Sequence, residues 1–96
     1  MYILTNKKNM RDDEVILVDI KQFRAISPEE IEVKDDKGIL SLDNVIKVRF
    51  DPPHGEDGIT GVILGTYETF ERCSEIIAEI ADAIEGGSIV YRMPVE

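Results

Sequence analysis

The residue types best suited to hold a metal ion lie together in one short segment. Asp51, His54, Glu56 and Asp57 offer carboxylate oxygens and an imidazole nitrogen. Hard divalent cations prefer oxygen ligands, and imidazole suits several transition metals. The spacing matches neither an EF-hand loop nor the His-Glu-x-x-His pattern of a zinc helix. The segment is therefore a metal candidate without a recognised signature, and a solvated loop is the alternative.

Nucleophilic catalysis finds less support in the chain. Covalent catalysis needs a Ser, Cys or Thr with a base in reach. The single cysteine, Cys73, falls on the apolar side of a predicted helix, and the single histidine, His54, lies in a loop rich in Pro and Gly. A buried thiol behaves as a small hydrophobic group. No Gly-rich phosphate loop is present. We predict no catalytic residue, no cofactor and a protein that is not an enzyme.

The acidic residues of that helix form the most unusual electrostatic pattern. Four of them recur at spacings of four, four and three, which predicts an acidic stripe on the outer helix face: Glu71, Glu75, Glu79 and Asp82. Like charges at such spacings repel by roughly 0.2–0.5 kcal/mol per pair. Only Arg72 offers local relief. The stripe is thus a candidate interaction surface for a basic protein or a second copy, and a solvated helix face is the alternative.

The helix that would position these residues has clear boundaries, about 70–85. Thr69 is a suitable N-cap, and Gly86-Gly87 supplies a left-handed cap at the other end. Between them the apolar residues follow helical spacing and predict one buried face: Phe70, Cys73, Ile76, Ile77, Ile80, Ala81 and Ile84. A final strand is expected at 88–93, before Pro94.

The residues before the helix indicate short strands joined by brief turns. The segments with strand character are 2–5, 14–20, 31–34, 39–42, 45–50 and 59–64. Segment 14–20 is apolar on both faces and predicts a central strand, whereas 2–5 predicts an edge strand. Asp35 to Gly38 predicts a hairpin turn, Pro28 is expected to interrupt any ladder, and 51–58 is expected to form a loop.

Together these elements predict an α+β fold. We expect a twisted, mainly antiparallel sheet of about five to seven short strands, with one C-terminal amphipathic helix across a face and a strand after it. The length of 96 residues predicts a single domain, 1–96. One helix would cover only part of such a sheet. The two apolar faces of 15–18 therefore suggest that a second copy covers the rest.

Composition narrows the class of protein. Twenty acidic residues against eleven basic ones give a formal charge of −9, which disfavours direct nucleic-acid binding. A single cysteine fits a reducing compartment. The first residues lack the pattern of a signal peptide, and no segment has the length of a membrane span. We predict a soluble, cytoplasmic protein that does not bind membranes.

The last third of the chain resembles a known group. The pattern Gly65-Thr66-Tyr67-Glu68-Thr69, the amphipathic helix, Gly86-Gly87 and then Tyr91-x-Met93-Pro94 is similar to the tail of small uncharacterised proteins of Firmicutes and their phages. The resemblance implies a related fold, a cytoplasmic setting and a phage connection. It implies no activity.

Three functional hypotheses follow from the sequence. The first is a non-enzymatic accessory or protein-interaction module, of phage origin, that acts through its acidic helix and sheet surface. The second is a small-ligand or cation-binding domain that uses the 51–58 loop. The third is an acidic mimic of nucleic acid that inhibits a DNA-binding protein, which would show carboxylates at phosphate-like spacing.

Overall fold

The strands in the described part of the chain form two separate three-stranded sheets. The computed structural model describes residues 1–10, 15–54 and 59–96, with the backbone alone for 22–24, 50–54, 59 and 60. The first sheet has the order β2-β1-β6, and the second has the order β3-β4-β5. The elements are β1 (Tyr2–Leu4), β2 (Leu17–Asp19), β3 (Phe23–Lys34), β4 (Leu40–His54), β5 (Ile59–Tyr67), α1 (Phe70–Glu85) and β6 (Val90–Arg92). Two short 3-10 helices span Lys7–Asn9 and Ile20–Gln22.

The second sheet is built on a long hairpin. β3 and β4 pair antiparallel from Phe23↔Phe50 to Lys34↔Leu40. The turn between them is closed by the Asp35 carboxylate, which accepts hydrogen bonds from the backbone N–H groups of Lys37 and Ile39. Gly38 has a φ of 80°, a left-handed conformation that glycine adopts without steric cost. The predicted hairpin turn at 35–38 is confirmed.

Helix α1 forms where its local signals place it. The Thr69 hydroxyl accepts a hydrogen bond from the backbone N–H of Arg72 at 3.1 Å, which satisfies one donor of the first turn. At the other end, Gly87 N–H donates to the Ile84 carbonyl and Ser88 N–H donates to the Ala83 carbonyl. This pair of bonds is a Schellman motif. The predicted helix over 70–85 and its caps are confirmed. Its buried face is narrower than predicted, because Phe70, Ala81 and Ile84 are exposed.

The two glycines after α1 differ in backbone conformation, and this difference gives a testable pair. Gly87 has a φ of 74°, whereas Gly86 has a φ of −76°. A Cβ costs roughly 1–2 kcal/mol in the left-handed region and nothing in the right-handed one. We expect Gly87→Ala to lower the free energy of unfolding by about 1 kcal/mol and Gly86→Ala to leave it unchanged or raise it slightly. Urea denaturation measures both. Equal effects would contradict the assignment of the left-handed cap to Gly87.

One apolar core joins both sheets to the helix. Its fully buried members from the second sheet are Ile46, Val48 and Leu64, and those from α1 are Cys73, Ile76 and Ile80. Ile3, Val18 and Met93 add side chains from the first sheet and the residue after β6. The Tyr67 ring belongs to the same core, and its hydroxyl donates to the Pro94 carbonyl at 3.0 Å. The helix thus shares its core with strands from both sheets.

The α+β class, the C-terminal helix and the strand after it are as predicted. The single sheet is not, because the strands divide between two sheets. There are also fewer strands than the sequence segments suggested. Segments 39–42 and 45–50 belong to one continuous β4, and 31–34 belongs to the longer β3. Asp43 and Asn44, which look like a turn in the sequence, pair within the ladder opposite Ile31 and Glu30.

Three prolines that were expected to interrupt strands lie inside strands. Pro28 lies in β3 and pairs with Ile46 of β4. β3 is an edge strand of its sheet. An edge strand tolerates proline because alternate N–H groups have no partner strand to bond. β4 also continues to His54, so residues 51–54 of the predicted loop lie in a strand, and 55–58 fall outside the described residues. The register of β4 against β5 shifts between Arg49 and His54, where Pro52 and Pro53 lie.

The first sheet reverses the predicted roles of its strands. β1 is the central strand, and the strand in segment 14–20 is the short edge strand β2. The final strand is shorter than the predicted 88–93 and pairs parallel with β1. Backbone hydrogen bonds carry no sequence information, so the pairing of such short strands depends on which apolar faces the core can bury.

Candidate interaction surfaces

Two carboxylates of the acidic stripe on α1 are bound by neighbouring side chains of the same chain. The Arg72 guanidinium donates to Glu75 at 3.3 Å and to Glu96, and it lies 3.8 Å from a Glu79 oxygen. The Tyr91 hydroxyl donates to Glu79 at 2.9 Å. The hydrogen bond to Glu96 raises the pKa of Arg72 further, so the cation persists at any physiological pH. Arg72 is thus the centre of a cluster of three carboxylates.

This cluster changes what the stripe can offer a partner. Glu75 and Glu79 are neutralised in part by Arg72, and Glu79 is also bound by Tyr91. Within the described part of the chain, Glu71 and Asp82 make no side-chain hydrogen bond or ion pair. A nucleic-acid mimic needs a regular row of free carboxylates, and the cluster interrupts that row. The role of Glu71, Glu75, Glu79 and Asp82 as an interaction surface stays a prediction.

The thiol of Cys73 is enclosed in the core. Its side chain is fully buried, and burial raises the pKa of the thiol above its ordinary value. A protonated, inaccessible thiol cannot act as a nucleophile. Burial also raises the pKa of the Tyr67 and Tyr91 hydroxyls, so both remain protonated and act as hydrogen-bond donors.

The structure describes the four metal candidates to different extents. Asp51 and His54 lie in β4, where the structure gives the backbone alone, and Glu56 and Asp57 fall outside the described residues. Across residues 1–10, 15–54 and 59–96, no three of the described His, Cys, Asp and Glu side chains are placed so that they could hold a metal ion. The metal site over 51–57 therefore stays a prediction.

A cleft of about 450 Å³ lies between the first 3-10 helix, the end of β5 and the last residues of the chain. Its walls are Lys8, Asn9, Met10, Thr66, Tyr67, Glu68 and Glu96. The Asn9 amide donates to the Thr66 carbonyl at 3.0 Å and accepts from the Glu96 N–H at 3.3 Å. The Thr66 hydroxyl is buried without a hydrogen-bond partner among the described residues. These groups attach the end of the chain to β5 and do not assemble a nucleophile with a base.

The first exposed apolar surface is at the far end of the β3–β4 hairpin. Ile39, Leu40 and Leu42 are 61%, 59% and 61% exposed, and we call them the hairpin patch. Leu40 and Leu42 lie on the same face of β4 as the buried Ile46 and Val48, since side chains alternate along a strand. The face that α1 covers further along β4 is therefore uncovered at the hairpin end.

The second exposed apolar surface is the side of the first sheet that faces away from the core. Ile3 and Val18, directly paired, are buried on the inner side. The alternate residues lie on the other side, and we call this set the outer face: Tyr2, Leu4, Leu17, Asp19, Val90 and Arg92. Leu17 is 58% exposed, and Tyr2 and Val90 are exposed as well.

The sequence predicted a strand at 39–42 but did not predict that its apolar side chains are exposed. The physical cause of the exposure lies in the lengths of the elements in the structure. A helix of 16 residues is about 24 Å long, whereas a strand of 15 residues is about 50 Å long. One helix cannot cover such a strand along its whole length. Leu40 and Leu42, at the hairpin end of β4, therefore face solvent or a partner.

Comparison of the chain with protein-family models, with curated proteins and with solved structures gives no match. The resemblance of the C-terminal third to small proteins of Firmicutes and their phages therefore stays a prediction. Among the described helices, none combines the length and the apolar content that crossing a bilayer requires.

Proposed function

We propose that the protein is a non-enzymatic protein-interaction module that binds its partner through the hairpin patch. The observation that carries the proposal is the exposure of three large apolar side chains on one regular hairpin. Fully burying a Leu or Ile contributes about 1.5–3 kcal/mol each, so a partner that covers the hairpin patch gains substantial binding energy. The ladder and the closed turn hold the patch in one conformation, which limits the entropy lost on binding.

The charges around the hairpin patch define the chemistry of the partner. Glu32 pairs directly with Leu42, and Glu30 pairs with Asn44 on the same face of the sheet. Both glutamates are exposed. With the net charge of −9, they favour a protein surface that is apolar at its centre and carries Lys or Arg at its rim. Lys34 sits opposite Leu40 and limits this acidic region at the hairpin tip.

We also propose a cytoplasmic setting and a phage connection for this interaction. The lone, buried cysteine supports a cytoplasmic protein, and the resemblance of the tail supports a phage connection. Both belong to the proposal, together with the accessory role.

The test uses the Leu40→Ser/Leu42→Ser double variant. Wild-type protein immobilised in a lysate of the source organism should retain a specific protein, and calorimetry with that purified protein should give its Kd. We expect the double variant to raise this Kd by a factor of about ten or more, since both leucines would be buried in the complex. The matched control is Leu17→Ser, which removes an equally exposed leucine from another surface and should leave the Kd unchanged.

Two results would overturn the proposal. One is that the wild-type protein retains no specific binder. The other is that the double variant binds as tightly as the wild type while circular dichroism shows that both are folded. A third outcome is that Glu71→Lys or Asp82→Lys abolishes binding while Leu40→Ser/Leu42→Ser binds normally. This result would show that the partner binds the acidic stripe of α1 and not the hairpin patch.

A further inference from the structure

We infer that the outer face of the first sheet binds the outer face of a second copy of this chain. The proposal is independent of the function of the hairpin patch, because the two surfaces share no residue. A sheet face with exposed Tyr2, Leu17 and Val90 favours an apolar partner. Its charged residues specify which partner.

The register of the three strands places the charges at opposite corners of the outer face. Asp19 in β2 pairs with Tyr2, at one end of β1. Arg92 in β6 pairs with Leu4, at the other end. With strands about 4.8 Å apart and a two-residue repeat of about 6.8 Å, Asp19 and Arg92 are about 12 Å apart across the diagonal. The other two corners are the apolar residues Leu17 and Val90.

This arrangement is complementary to itself. A two-fold axis in the plane of the interface, perpendicular to the Asp19–Arg92 diagonal, exchanges the two charged corners. Each Asp19 then lies opposite Arg92 of the second copy, and two equivalent ion pairs form. An isologous dimer needs a surface patch of this kind, in which each residue meets its complement by symmetry.

The same axis brings apolar residues together. It passes close to the Leu17 and Val90 corners, so each of these residues packs near its own copy and near Leu4 or Tyr2. The strands of the two copies cross at about 70°, which approaches the orthogonal class of sheet packing. The apolar centre and the charged ends match the usual organisation of an interface.

The charged groups are available for such pairing. Asp19 and Arg92 take part in no ion pair within the described part of the chain. One Asp19 oxygen accepts the Lys21 N–H at 3.0 Å, which leaves the second oxygen for an arginine. Three strands of three residues make a small interface, so we expect a weak dimer with a Kd on the order of tens of micromolar.

Charge reversal tests the dimer without depending on its strength. Sedimentation equilibrium from about 5 to 500 µM should show the wild type becoming dimeric. Asp19→Lys makes both charged corners positive, and Arg92→Glu makes both negative. The dimer Kd of each variant alone should therefore rise by a factor of about ten or more. Mixing the two variants pairs Lys with Glu and Arg with Asp. The mixture should therefore recover a heterodimer close to the wild-type Kd.

Matched controls exclude effects of net charge and folding. Glu32→Lys and Lys34→Glu make the same charge changes on the hairpin and should not affect dimerisation. Recovery by mixing cannot arise from repair of folding, because each chain folds separately. The inference fails if the wild type stays monomeric at about 500 µM, if either reversal leaves the Kd unchanged, or if the mixture does not recover. None of these outcomes decides whether the hairpin patch binds a partner.

Discussion

Replacing Ile46 with alanine is expected to lower the free energy of unfolding by about 2–5 kcal/mol. Ile46 lies in β4, the central strand of the larger sheet, and is fully buried in the core shared with α1. The loss combines the transfer free energy of the removed methyl and methylene groups with the cavity that they leave. It is a large part of the roughly 5–15 kcal/mol that stabilises a typical domain. Urea denaturation followed by circular dichroism measures it.

Leu42→Ala is the matched control on the same strand and the same face. Leu42 is 61% exposed, so its truncation should change the free energy of unfolding by about 0.5 kcal/mol or less. If Ile46→Ala does not fold, Ile46→Val should still show a cost of about 0.5–1.5 kcal/mol. Equal effects at positions 42 and 46 would mean that the hairpin patch is covered in the monomer, against the basis of the proposed function.

The Cys73 thiol is expected to react in the native protein at least about a thousandfold more slowly than in the unfolded chain. The side chain is fully buried, and burial raises its pKa, so reaction requires a local or global opening of the helix. An opening free energy of about 4 kcal/mol gives a factor of this size. Labelling with a thiol reagent, with and without denaturant, gives both rates.

The control for accessibility is Glu71→Cys in a Cys73→Ala background. Position 71 is exposed on the same helix, so its thiol should react nearly as fast as in the unfolded chain. Rapid labelling of native Cys73 would contradict the burial of this side chain. It would also reopen nucleophilic chemistry for a cysteine that the sequence analysis and the structure both place on the apolar face of α1.

The acidic stripe shows how far a sequence can describe a surface. The spacing of Glu71, Glu75, Glu79 and Asp82 is readable from the chain, and so is the presence of Arg72 three residues before Glu75. The other partners are not. Glu96 and Tyr91 reach the cluster from the end of the chain and from β6, respectively. Whether a carboxylate is free or bound therefore depended on contacts that no local spacing encodes.

The two apolar surfaces were likewise predictable only in part from the sequence. The alternation at 39–42 and the apolar faces at 15–18 were visible in the sequence, and the second already suggested another copy. Their exposure was not visible. It results from a helix that is shorter than the strand beneath it and from a first sheet that has the core on one side only. The position of Asp19 relative to Arg92 emerged only from the pairing of β2 and β6 with β1.

The sequence by itself determined the elements whose signals are local. The cap at Thr69, the left-handed residue after the helix, the helical spacing of Cys73, Ile76 and Ile80, and the turn at 35–38 each involve residues a few positions apart. The tertiary structure decided the division into two sheets, the place of Pro28 in an edge strand and the parallel pairing of β6 with β1. The physical reason is that any strand can offer the same backbone hydrogen bonds. The choice between partners is made by burial of side chains from distant parts of the chain.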